Sequence, residues 1–208
     1  MRNFIYVLVL CLLIYSVSSL AQDKDAEATL NRPVPANQWS PKIRVLLGRS
    51  CVGEAGWYSG ETQECAMLGN IYAKQAKQQS VYFATAMLKY SYAIKADFGI
   101  VKHPWLDGLH ANGKRPRNWP RNLRWSVHRP LWKQILDTID SWYRGEIPNP
   151  IPDADHFGGG MDVPRAELRE KWKRLCAPRN FRNRYYDSRK KYTGPPLGKK
   201  GQKACYLD

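Results

Sequence analysis

Residues 48–65 read GRSCVGEAGWYSGETQEC. A helical apolar pattern, Ile43, Leu46 and Leu47, runs into one carboxylate, Glu54, and Gly56 then breaks it. A second run at helical spacing follows, Cys65, Leu68, Ile71 and Tyr72. The order helix, turn, helix sets a mainly α fold and places Glu54 at a helix C-terminus. There the backbone dipole is negative and disfavours an ionised carboxylate, and burial against Trp57 or Tyr58 disfavours it further. A glutamate that keeps its proton near neutral pH can act as a general acid toward a leaving-group oxygen.

Outward from this stretch, helical signals dominate. Ser80 is placed to cap a third helix with Val81, Ala84, Met87, Leu88 and Tyr92 facing inward. Another is expected to start at Pro130, with Leu131, Ile135, Ile139 and Trp142 on one face and Gly145 ending it. A last helix is expected from about Pro164 to Cys176. Long irregular segments separate these: residues 97–128, which hold Trp105, Trp119 and Trp125, and residues 145–163, GEIPNPIPDADHFGGGMDV. No strand-period alternation persists beyond a few residues. Residues 22–41 are polar and proline-containing, a leader before a domain spanning 42–208. From about residue 177 the tail is basic and turn-rich, and its aromatics and closing cysteine predict that it packs.

The first residues, MRNFIYVLVLCLLIYSVSSLAQ, combine Arg2, an apolar run and small residues before Ala21. They read as a secretory signal peptide spanning 1–21, with an uncleaved membrane anchor as the alternative. The chain carries 33 Lys and Arg against 18 Asp and Glu, a formal charge of +15. Such a chain is drawn to polyanions. Export favours an anionic envelope surface or acidic wall polymer, in the periplasm or outside the cell, over nucleic acid, although KRPRNWPRNLRWSVHRPLWK mixes arginine and aromatic side chains in the manner of a single-strand binder.

Beyond the leader, Cys51, Cys65, Cys176 and Cys205 form an even set in an oxidising compartment. Three pairings are possible, and the two local ones, Cys51–Cys65 and Cys176–Cys205, are favoured. A four-thiolate zinc site is the alternative, but no C-x-x-C pair supports it. His103, His110, His128 and His156 show no zinc-protease spacing, so a zinc-dependent wall amidase is a minor alternative and no metal or cofactor is expected.

Three pieces in order carry a resemblance: Gly53-Glu54-Ala55, Leu68-Gly69-Asn70, and Gly145 followed by Asp153-Ala154-Asp155-His156-Phe157. Over about residues 42–162 the chain resembles, discontinuously, the cell-wall hydrolase family of lysozyme-like lytic transglycosylases of the spore-cortex-lytic type. Ile71 stands where that family often has Arg, and residues 97–128 are a long insertion. The resemblance implies a lysozyme-like single domain with long functional loops and a basic C-terminal extension. It implies cleavage of the β-1,4 bond between N-acetylmuramic acid and N-acetylglucosamine in peptidoglycan, with Glu54 as the single catalytic carboxylate. Ordinary glycosidases need two, and here the nearest others are less suited. Glu61 and Glu64 read as a solvated polar face and first-turn acids of the next helix, and Asp153, Asp155 and Asp162 as turn-formers. An Asp of that loop reaching the cleft would make lysozyme-type hydrolysis the alternative outcome. Asn70, Tyr72, His156 and Phe157 are the expected substrate contacts. The expected enzyme is a monomer acting on glycan strands. The rival from another class is a non-catalytic cationic protein that binds cell wall or membrane surface.

Overall fold

Two helices carry the expected pattern. The first, α1, spans Pro41–Ala55: Ser40 caps it by accepting the Ile43 N–H on its hydroxyl, with Pro41 in the first turn, where a missing N–H costs nothing. The second, α2, spans Glu64–Gln78. The computed structural model describes residues 32–91, 93–94, 104–158, 171–194, 202 and 205–207. The expected signal peptide, Tyr92, His103, Asp162 and the start of the helix expected from Pro164 lie outside them. Among the described residues no helix is long and apolar enough to cross a membrane.

Helix α3 spans Phe83–Tyr90 and α4 spans Trp125–Tyr143. Neither begins where the sequence pattern placed it. Ser80 adopts φ 53° and donates its N–H to the Lys77 carbonyl, so it closes α2 and does not cap α3. The register shifts accordingly: Phe83, Ala86 and Met87 are buried while Leu88 is exposed. Helix α4 starts before Pro130, which lies inside it on the solvent side, lacking the N–H that would otherwise bond back toward Ser126. Its inward face is Trp132, Ile135, Leu136, Ile139 and Trp142. Gly145, at φ 77°, ends the run as expected.

Most of the helical core lies among α1, α2 and α4, where Leu47, Cys51, Leu68, Tyr72, Trp132, Ile139 and Trp142 are all but inaccessible. Glycine lets these helices meet. A Cβ on Gly69 would lie 2.8 Å from the Trp142 indole, so only glycine lets that ring seat against α2. A bidentate pair, Arg44 to Asp140 at 2.5–2.6 Å, ties α1 to α4 at the edge of the core. The leader is partly structural. Val34 is buried and Trp39 stacks on Tyr143 at 4.3 Å, so residues 34–40 belong to the domain.

The C-terminal third corrects the mainly α expectation, because a small sheet joins the helices. Strand β1 is His156–Gly158, β2 Trp172–Leu175, β3 Ala177–Pro178, β4 Arg184–Lys191 and β5 Tyr206–Leu207. Strand β4 lies between β1 and β2, antiparallel to both, pairing Phe157 with Tyr185 and Arg174 with Tyr186. Residues 172–175, expected to be helical, are thus strand. Strand β4 escaped the alternation test because Tyr185, Tyr186 and Asp187 are buried in succession, as in a strand covered on both faces. Tyr185 joins Met67, Ile71, Ile151 and Ala154 in a second core beneath the sheet. Helix α2 therefore buries two faces, one in each core, as its nearly continuous apolar character requires.

Both local disulfides are present, Cys51–Cys65 joining α1 to α2 and Cys176–Cys205 beside the short parallel pair β3–β5. Two such bonds are compatible with a secreted protein.

Candidate functional site

Glu54 lies in the last turn of α1, half-buried, where the helix stops at Gly56. At φ 86°, Gly56 occupies backbone space that side chains disfavour, and its N–H returns to the Cys51 and Val52 carbonyls. Gly53 has a different task. A Cβ there would fall 2.1 Å from the Ala93 methyl. Its absence lets Ala93 press onto α1, and Ser91 and Ala93 deliver two donors to Glu54. The Ser91 hydroxyl donates to Oε1 at 2.9 Å and the Ala93 N–H at 3.0 Å.

Behind Ser91 runs a buried chain of hydroxyls. Ser50 Oγ donates to Ser91 Oγ at 2.9 Å, and Tyr72 Oη lies 2.7 Å from Ser50 Oγ. With Ser50 donating to Ser91 and Ser91 to Glu54, the direction is settled back to Tyr72, which donates to Ser50. Burial, then the Glu54 charge, push the Tyr72 hydroxyl well above its ordinary range, so it remains a donor at any working pH. The two hydrogen bonds anchor the carboxylate through Oε1.

The tail completes the turn from the other side. Asn183 Nδ2 donates to the Glu54 carbonyl at 3.2 Å, satisfying a backbone acceptor at the end of α1. Residues 182–185 are themselves fixed by Glu64. This carboxylate, 1% exposed, accepts the Arg182 and Asn183 N–H groups at 2.8 and 2.7 Å, Asn183 Nδ2 at 3.0 Å and the Tyr185 hydroxyl at 2.8 Å. Glu64 is indeed the first-turn acid the sequence suggested, but it is a buried anchor for the tail and not a solvated face. Glu61 is exposed.

Next to the turn, aromatic rings pack into a box: Trp57 stacks on Trp105 at 5.6 Å, with Trp119 and His128 edge-on. Trp105, Trp119 and Trp132 are buried, and the Trp119 and Trp132 N–H groups donate to the Leu123 and His110 carbonyls. Trp119 and Trp132 of the tryptophan-rich basic segment are thus core, while its lysines and arginines are exposed.

The expected substrate contacts divide. Tyr72 is inaccessible and serves the hydroxyl chain, with Phe157 edge-on to its ring at 5.8 Å. Phe157 thereby connects to Glu54 through Tyr72, while its own side chain packs against both cores. Asn70 turns away on α2, accepting the Trp142 N–H at 2.9 Å. Tyr72 therefore belongs to the interior, while Asn70 is half-buried, with its Oδ1 occupied by Trp142 and its Nδ2 lacking a hydrogen-bond partner among the described residues. His156 is partly accessible, between Tyr90 and Trp172, with Nδ1 3.0 Å from Asp155. Asp155 is itself committed. Against the burial that would raise it, hydrogen bonds from His156 and Ser188 hold its carboxyl down to about 2.

Among the described residues no three His, Cys, Asp or Glu side chains gather as metal ligands. Sequence reasoning missed Ser50, Ser91 and Asn183. Only Ser50 left a signal, one helical turn before Glu54 on the same face. No protein-family model matches this chain, and neither the curated proteins nor the solved structures contain a significant match.

Proposed function

We propose that the chain is a secreted peptidoglycan-cleaving enzyme with a lysozyme-like helical part, acting as a lytic transglycosylase with Glu54 as its only catalytic carboxylate. The observation that carries this reading is the clamp on Glu54. A half-buried carboxylate at a helix end, with Oε1 fixed by Ser91 and Ala93, is held in a constant orientation. Fixed orientation is what a general acid needs.

In the proposed reaction Glu54 gives its proton to the glycosidic oxygen as the bond from C1 of the N-acetylmuramic acid breaks. The substrate's N-acetyl group supports the positive C1 centre. Glu54, now ionised, takes the proton of the C6 hydroxyl as O6 bonds to C1, closing the anhydro ring and restoring the acid. One carboxylate is enough for this sequence. The commitments of three of the other acids support it: Glu64 holds the tail, Asp155 holds Ser188, and Asp153 pairs with Lys190. Tyr72, Ser50 and Ser91 are positioning residues, and His156 and Phe157 are the neighbouring candidate substrate contacts that remain partly accessible.

The deciding experiment is mass analysis of fragments released from purified peptidoglycan. Anhydro ends are expected. Reducing ends would point to hydrolysis, cleaved peptides to an amidase, and retention on the wall without release to a cationic binding protein.

A further inference from the structure

The basic excess of this chain is not spread evenly over solvated faces. Beyond the Glu64 anchor, the tail folds around a groove of about 450 Å³ lined by Arg174, Arg179, Arg182 and Arg184 together with Phe181 and Tyr206. No described residue lining it is acidic. Glu64 beneath its floor spends its oxygens on Arg182 N–H, Asn183 and Tyr185, and among the described residues no carboxylate pairs with the four guanidinium groups. Elsewhere the tail behaves differently: Arg189 and Lys190 pair with Asp187 and Asp153.

Four like charges around one concavity repel each other unless an anion sits among them. The repulsion is visible on Arg174, whose basicity is lowered by burial and then by Arg184. The groove is also built to hold its shape. Arg174 Nη1 donates to the Gln202 carbonyl at 2.8 Å, the Arg179 guanidinium lies 4.9 Å over the Tyr206 ring, and the Cys176–Cys205 disulfide closes one wall. Guanidinium forks match the paired oxygens of phosphate and carboxylate, which a lysine patch would not select.

We infer that this groove is an oxyanion-binding site for a phosphate ester or carboxylate, separate from the Glu54 carboxyl but bordering its turn. Arg182 forms the border, its Nη1 2.9 Å from where a Cβ on Gly56 would stand. A bound anion is thereby held beside the residue that ends α1. The inference concerns binding and stands whether or not Glu54 is catalytic.

Calorimetric titration of the oxidised full chain with pyrophosphate and, separately, with citrate at physiological ionic strength tests it. Saturable binding is expected, weakened at least about tenfold in R174Q/R184Q. The exposed pair R179Q/R182Q, which removes groove charge without disturbing a buried group, should weaken it similarly, and R117Q/R121Q, of equal charge loss at exposed positions that do not line the groove, by less than about twofold. Binding of pyrophosphate alone identifies phosphate as the preferred group; binding of citrate alone identifies carboxylate; binding of both establishes the broader class. Equal loss in all three variants, or no saturable binding of either probe, overturns the assignment.

Discussion

Replacing Glu64 tests the connection between the tail and the helical core. In Glu64→Ala four donors lose their acceptor at once: two backbone N–H groups, the Asn183 amide and the Tyr185 hydroxyl, all within 3.0 Å of the carboxylate. Tyr185 is inaccessible and cannot turn to water, and burial, then the Glu64 charge, hold its hydroxyl far above the range where it could ionise. Each stranded buried donor costs about 1–3 kcal/mol, and partial relaxation leaves a total of about 5 kcal/mol. Glu64→Gln is milder. One oxygen can still take three donors, but the new amide N–H₂ faces the Arg182 N–H, donor against donor, for a loss of about 2 kcal/mol. Urea unfolding with disulfides intact reads both as a lowered midpoint at unchanged slope. Limited proteolysis should cut the variants first near residues 181–187. An alanine variant within about 1 kcal/mol of the parent would refute the view that Glu64 anchors the sheet.

Glu54→Gln should reduce turbidity clearing at least about a hundredfold with little change in stability, whereas activity within a few-fold of the parent would move the site elsewhere. Gly53→Ala, by forcing Ala93 away from a 2.1 Å encounter, should cost activity through loss of the Oε1 clamp, detected as a lower kcat at similar KM. The folded-state carboxyl of Asp155 lies below its ordinary 3.8, at about 2, so its stabilisation of about 2 kcal/mol is complete above about pH 4 and is lost as pH falls toward 2. Comparing the acid unfolding of Asp155→Asn with that of the parent checks this, since the variant should lack that part of the slope. Cys51→Ala/Cys65→Ala opens a loop of sequence separation 14 and should lose about 3 kcal/mol, measured by denaturant midpoint without reductant.

Much of this molecule was written locally. The periodicity of residues 43–54 and 65–72 gave α1 and α2, and Gly56 after the first run gave the turn between them. Glu54 was legible because a lone carboxylate at the break of an apolar pattern is a local event. Local spacing likewise selected the two disulfides from three pairings. Helix α4 was found but begun too late, since Pro130 reads as a start signal although an established helix tolerates it on the solvent side. Ser80 misled in the opposite way, because a serine that can cap a helix can also close the preceding one in the left-handed region. The sheet was invisible because β4 buries three residues in succession, a pattern that depends on what covers its two faces. The fates of Glu64, Tyr72 and Asn70 were equally hidden. Whether a carboxylate is solvated, or a tyrosine faces substrate, depends on partners distant in the chain, Arg182 to Tyr185 for Glu64 and Ser50 with Ser91 for Tyr72. Periodicity and capping act over a turn or two of backbone and so show in the sequence, whereas hydrogen-bond partners and concave surfaces arise only when remote segments meet.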